Sequence, residues 1–337
     1  AGIKMLQLGG NAVDAAIATA IALTVVEPTG NGIGSDAFAI VWDGNELHAL
    51  NASGRAPAAW SRETFAHLRA MPEIGWDSVT VPGAVSAWVE LAERFGTLPL
   101  TTLAQPAIDY ARNGFPVSPL IGHLWERGYQ KLRDQPGFSA CFAPEGRPPR
   151  VGELFRNPRQ AETLEKIAAT NGEAFYRGEL AEKIAAFAKE HGAALTLEDL
   201  HNHRADWVTM LSRPFAGGSV QELPPNGQGI ATLMALGILE QWDIERYEPD
   251  SAQWLHLSIE AMKLALVDLE RYIADEEHME FPAELLLSDD YLRERAALID
   301  PHQAGDFTFG APKQSGTVYL STADANGMMV SFIQSNY

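Results

Sequence analysis

The chain has 337 residues, enough for one large domain or two ordinary ones, and 46% of them are hydrophobic against 20% charged, a balance that excludes intrinsic disorder. With 25 Lys and Arg against 44 Asp and Glu, the formal charge is −19, which makes nucleic acid and anionic membrane poor partners because both are held by clustered cations. The single cysteine, Cys141, cannot form an intrachain disulfide, and no Cys/His spacing suggests zinc.

The chain opens on AGIKMLQLGGN, without a charged, apolar, then small-residue leader pattern. Gly9-Gly10-Asn11 followed by Asp14 predicts a helix start, with Asn11 as N-cap and an acid facing the positive end of the dipole. Val13, Ile17 and Ile21 repeat at i+4, and alanines fill the faces between them, so this helix is predicted to be buried all round up to Glu27-Pro28. Its apolar run, residues 15–26, is shorter than the ~20 residues that span a bilayer.

After the glycine-rich TGNGIGS, the runs on either side of Asp43-Gly44 predict an antiparallel hairpin over residues 37–50. A helical middle follows, with helices over residues 85–94, 103–112, 160–169, 180–190, 230–241 and 254–274. The end returns to strand: GTVYLSTAD, a turn at Ala325-Asn326-Gly327, then MMVSFIQSN. Strands grouped at both ends with helices between predict an α+β layered sandwich in place of βαβ alternation. No internal repeat and no boundary between compact domains stands out.

Several candidate sites read most simply as structure. Gly30, Gly32 and Gly34 form G-x-G-x-G before a strand, which lacks the spacing of a dinucleotide loop and fits a tight turn beside a site. His201, His203 and Asp206 offer a weak metal-ligand spacing that a solvated loop explains as well, and the run from Glu276 to Glu280 reads as a solvated face. No metal and no cofactor is called for.

Thr317 is β-branched and fits a strand on that ground alone. Gly316 before it opens a second reading. A threonine hydroxyl can attack the preceding carbonyl, and a glycine there neither crowds the attack nor resists strained dihedrals. The cut leaves Thr317 with a free α-amine, of ordinary pKa about 7.7–8.0, to serve as base for its own hydroxyl.

With these residues, the chain resembles the γ-glutamyltransferases, members of the N-terminal-nucleophile hydrolases. GGNAVDAAIATAIALTVVEPTGNGIGSDAF, SVTVPGAVSAWVEL, AIDYARNGFPVS, NPRQAETLEKIA, ELPPNGQGIATLMALGILE and GTVYLSTADANGMMVSFIQSN resemble family blocks in the family's order. The resemblance implies an αββα sandwich and autocleavage between Gly316 and Thr317. Residues 1–316 then belong to the large subunit and 317–337 to the start of the small one. Thr317 is the implied nucleophile, acting on a γ-glutamyl amide such as glutathione with water or an amino acid as acceptor. An oxyanion hole of two glycines, and an acidic pair for the substrate's amino group, are implied to lie beyond Tyr337.

The chain also departs from the family. An arginine of the form R-E-x-A-P holds the substrate carboxylate in the transferases, and aligned on Ala56-Pro57 its place is taken by Ser53, with Arg55 the nearest guanidinium. A two-residue shift in extended chain keeps the same face and moves the side chain by roughly 7 Å. Ser335 keeps a hydroxyl where the family often has threonine, and Tyr337 replaces an asparagine. The substrate-binding set is therefore Arg55, Ser53, Ser335 and Tyr337. A cephalosporin (glutaryl-type) acylase and a non-catalytic small-molecule-binding protein stay open as alternatives. The expected partners are the chain's own small subunit after cleavage and a second copy in a homodimer, and the cytoplasm is favoured over export.

Overall fold

The computed structural model describes the backbone of residues 1–307 and 317–335, and side chains in all of these except 317–320 and 335. The chain packs as two compact units, a division that the sequence reading did not mark. The first takes Ala1–Trp207 with the C-terminal hairpin, and the second begins at Val208.

In the first unit, α1 (Ala12–Val26) starts at a capping box: the Asn11 carboxamide accepts from the Asp14 N–H at 3.0 Å, and the Asp14 carboxylate accepts from the Asn11 N–H at 2.8 Å. As its alanine-filled faces predict, α1 is buried nearly all round. It is followed by β1 (Asp36–Trp42) and β2 (Leu47–Ala52), paired about the Asp43-Gly44 turn with Ala37 opposite Ala52. Then come α2 (Ala84–Phe95), α3 (Leu100–Asn113), α4 (Pro158–Ala169), α5 (Glu179–Glu190) and the short β3 (Asp206–Val208). The chain closes with β4 (Thr317–Ala323) and β5 (Met329–Ser335) about the predicted turn, where Gly327 takes φ 85°.

These strands form one sheet in the order β3-β2-β1-β5-β4, antiparallel at the β2–β1, β1–β5 and β5–β4 pairs. One face is buried by Ala37, Ala39, Val41, Leu50, Ala52, Val330 and Phe332. The alanine-rich α1 packs against the strands of the C-terminal hairpin, β4 and β5, while α2 lies across β1 and β2. Behind them α3 packs on α1, and α4 on α3. The opposite face carries Phe38, Ile40, Trp42 and Ile333, none fully buried. The architecture is α+β, and the described residues supply a sheet layer and the helices on one of its faces.

A helix at Pro119–Leu132 that periodicity did not mark is capped by Ser118 and buries only Ile121, Gly122 and Trp125, which explains its faint apolar pattern. The second unit holds a two-stranded ribbon, Leu211–Phe215 with Gly218–Glu222, and three helices: α6 (Ile230–Glu240), α7 (Ala252–Tyr272) and α8 (Asp289–Ala296). Its core is built from Leu233, Met234, Ile238, Leu257, Leu264 and Leu292. The buried Arg213 pairs through one nitrogen with Glu240 at 2.6 Å and Asp289 at 3.1 Å. No helix among the described residues is long and apolar enough to cross a membrane.

Candidate functional site

Thr317 is the first residue of β4, an edge strand among the described residues, and it pairs directly with Ser335, the last residue of β5. Ser335 in turn pairs with Asp36, the first residue of β1. Directly opposed residues share a face of a sheet, so the three positions form a row across one end of it. Ser53 follows Ala52, whose partner Ala37 follows Asp36, so β2 brings Ser53 to the same end. Gly316 and Tyr337 lie outside the described residues.

The loop entering β1 is fixed by a chain of buried polar groups. Trp88 Nε1 donates to Gln334 Oε1 at 3.0 Å, Gln334 Nε2 to Asn31 Oδ1 at 3.1 Å, and Asn31 Nδ2 to Glu27 Oε2 at 2.9 Å. Trp88, Gln334 and Asn31 are each at most 2% exposed, so these hydrogen bonds replace water. Gly32 donates its N–H to Ser35 Oγ at 2.8 Å, and the Ser35 carbonyl accepts from Gly83 and Ala84, taking up donors at the start of α2. The G-x-G-x-G stretch is thus a tight turn beside the row, as expected.

Backbones approach unusually closely next to it. A Cβ on Gly54 would sit 1.4 Å from the Val81 carbonyl oxygen, and one on Gly83 would sit 1.9 Å from that of Ala52. Val81 donates its N–H to the Arg55 carbonyl at 3.0 Å, zipping residues 52–55 to 81–83.

The side chains of Ser53 and Arg55 go to different partners. Ser53 Oγ donates to Asn51 Oδ1 at 2.7 Å. The Arg55 guanidinium turns toward the β3 edge, donating to Asp206 Oδ2 at 2.8 Å and to the Arg204 carbonyl at 3.1 Å. Both partners of this ion pair are more than half exposed.

His201, His203 and Asp206 do not converge on a metal. His203 is buried beside Ser86 and Tyr176. Tyr176 donates its hydroxyl to the Pro82 carbonyl at 2.7 Å and accepts the Ser86 N–H at 3.0 Å. Ser86 Oγ donates to the Gly83 carbonyl at 2.6 Å, so at 3.0 Å it accepts from His203 Nε2–H. Burial, and next the Arg55 guanidinium, push the imidazole pKa down to about 4. A cleft of about 650 Å³ adjoins this cluster, lined among others by Glu90, Glu173 and Arg177. Among the described residues, the one acid and histidine grouping tight enough for an ion is Asp43, Glu46 and His48 on the exposed hairpin turn. There the Asp43 carboxylate, held down to about 2 by the Glu46 backbone N–H and then by His48, is taken up by the turn itself.

Sequence reasoning missed Asp36, the Ser86–Tyr176–His203 cluster and the Trp88–Gln334 link. Only Asp36 left a local signal, since strand alternation from Phe38 and Ile40 sets it on their face.

The row and its supporting loops can be set beside proteins of known kind. The chain is 35% identical to a glutathione hydrolase-like proenzyme of Bacillus subtilis (strain 168), a match covering 100% of this chain and 64% of that protein. It is 36% identical to the oxamate amidohydrolase proenzyme of Klebsiella pneumoniae subsp. pneumoniae, over 99% of this chain and 64% of the relative. Among solved structures, cephalosporin acylase from Bacillus halodurans superposes with a TM-score of 0.91 at 48% identity, over 100% of this chain and 63% of that one. The chain therefore spans a little under two thirds of these relatives' length. The family model described as Gamma-glutamyltranspeptidase matches residues 1–337, and with the α+β fold shared across these structures, the chain belongs to the gamma-glutamyltranspeptidase family of enzymes.

Proposed function

We propose that the protein containing this chain matures by cutting itself between Gly316 and Thr317 and then transfers or hydrolyses γ-glutamyl groups through Thr317. In maturation the Thr317 hydroxyl attacks the Gly316 carbonyl, the peptide C–N bond breaks, and water hydrolyses the resulting ester to a Gly316 carboxylate and a free Thr317 amine. In turnover that amine takes the hydroxyl proton as Oγ attacks the substrate amide, and returns it to the departing amine. Water or an amino acid then releases the acyl group. Residues 1–316 are the large-subunit part and 317–337 the start of the small one.

The observation that carries this reading is the position of Thr317, first in an edge strand and in register with Ser335 and Asp36. Ser335, Ser53, Tyr337 and Arg55 are proposed to line the acyl pocket. Arg55 would leave a solvent-exposed ion pair, a cheap exchange because such pairs contribute only about 0–1 kcal/mol.

A second reading, acylase action on glutaryl-type side chains, is favoured by the 48% identity to the Bacillus halodurans cephalosporin acylase. Both readings need Thr317. In the full-length precursor, Thr317→Ala is expected to give one uncut, inactive chain and Thr317→Ser to keep some of both activities. Wild-type cleavage in Thr317→Ala would remove the assignment.

A further inference from the structure

Asp36 stands out among the acids of the first unit. Asp14 is wrapped by the N–H groups of Asn11, Thr97 and Leu98 and by the Thr97 hydroxyl, Glu27 takes Asn31 and Thr29, and Asp206 takes Arg55. Asp36 is half-buried and desolvated, and its own backbone N–H is its one hydrogen-bond donor among the described residues. A carboxylate accepts through two oxygens, so a partly desolvated one with a single backbone donor keeps lone pairs free for a further donor.

Its position says what would bind. Asp36 lies two strands from Thr317 along the row, about 10 Å at ~4.8 Å per strand. An acyl group whose carbonyl carbon sits at the Thr317 hydroxyl, with a nitrogen on the third carbon beyond it, extends about 5 Å, and a charge-assisted hydrogen bond adds about 2.8 Å. The Asp36 side chain closes the remainder. A carboxylate at this end of the row favours a cation as its partner.

We infer that Asp36 is a specificity-determining residue that accepts a hydrogen bond from an ammonium on the third carbon beyond the scissile carbonyl, the α-ammonium of a γ-glutamyl group. This rests on the reading of Thr317 as nucleophile. An ammonium carries three donors, so Asp36 adds to whatever other acceptors the whole enzyme provides. It selects amine-bearing acyl groups over chains of the same length that lack the amine.

The test uses the full-length mature enzyme with γ-glutamyl-p-nitroanilide and glutaryl-p-nitroanilide, which differ by the amine. Asp36→Asn should lower kcat/KM for the first by about ten- to a hundredfold, mostly through KM, and leave the second unchanged or raised. An equal fall on both substrates, or no change on either, overturns the inference. A second measurement needs no variant: 4-aminobutyrate should inhibit the wild type at least about tenfold more tightly than butyrate, and equal or weaker inhibition overturns it. A wild-type precursor that is never cut and hydrolyses neither anilide overturns the Thr317 reading and this one with it. A cut, active wild type with an indifferent Asp36→Asn overturns this inference alone.

Discussion

Trp88 and Gln334, 246 residues apart, are joined by a buried hydrogen bond of 3.0 Å that ties the helix layer to the last strand. The Gln334 amide donates onward to Asn31, so one side chain satisfies both a helix residue and the glycine loop. Trp88→Phe, which removes one donor and little volume, should cost about 1–3 kcal/mol. Gln334→Met strands two buried groups and should cost about 2–5 kcal/mol. Urea unfolding of both variants and the double variant checks this, and additive losses would show that the network is not coupled.

Gly54 should tolerate no side chain, because the obstacle is the Val81 carbonyl, a backbone atom that cannot swing aside. Gly54→Ala is expected to destabilise by about 3–5 kcal/mol and to reduce the yield of folded protein. Gly128→Ala is the control, since a Cβ there meets nothing within 4 Å and the residue lies inside a helix. That substitution should be neutral or stabilising by up to about 1 kcal/mol.

Stability should fall with acid through His203. Its pKa is about 4 when folded and 6.5 in its ordinary state, so between these values the unfolded chain binds the extra proton. The contribution is complete above pH 6.5, declines as pH falls, and is gone near pH 4, amounting to roughly 3 kcal/mol. His203→Gln should flatten the dependence of thermal midpoint on pH between 4.5 and 6.5. An unaltered slope would assign the acid sensitivity to carboxylates.

Arg55→Ala separates a binding role from a structural one. Losing an exposed ion pair should change stability by less than about 1 kcal/mol. If the guanidinium leaves Asp206 for the substrate carboxylate, KM for γ-glutamyl-p-nitroanilide should rise about tenfold or more. An unchanged KM makes Arg55 a clamp between residues 55 and 206 only.

Local physics made much of this chain legible. The Asn11–Asp14 capping box, the Asp43-Gly44 hairpin and the Gly327 turn are each decided within four or five residues, and each appears where expected. The row of Thr317, Ser335 and Asp36 depends on register between strands almost 300 residues apart, which no window of sequence contains. Ser86, Tyr176 and His203 meet because a helix start, a short helix and a loop converge. A buried serine and histidine look in sequence like any polar loop residues. The unit boundary near residue 208 was hidden for a similar reason: it falls within β3, without a linker-like composition.

The place of β5 in the sheet imposes an order of events in time. Residues 329–335 insert between a strand made almost 300 residues earlier and one made just before, and among the described residues β4 touches the sheet only through β5. Closing so long a loop is slow and comes late. A nascent chain that already contains Gly316 and Thr317 but stops short of Met329 has no β5 against which to align that peptide bond. Such a chain, released or still on the ribosome, should remain intact, so that the scissile bond is spent only on molecules in which β5 is already in place.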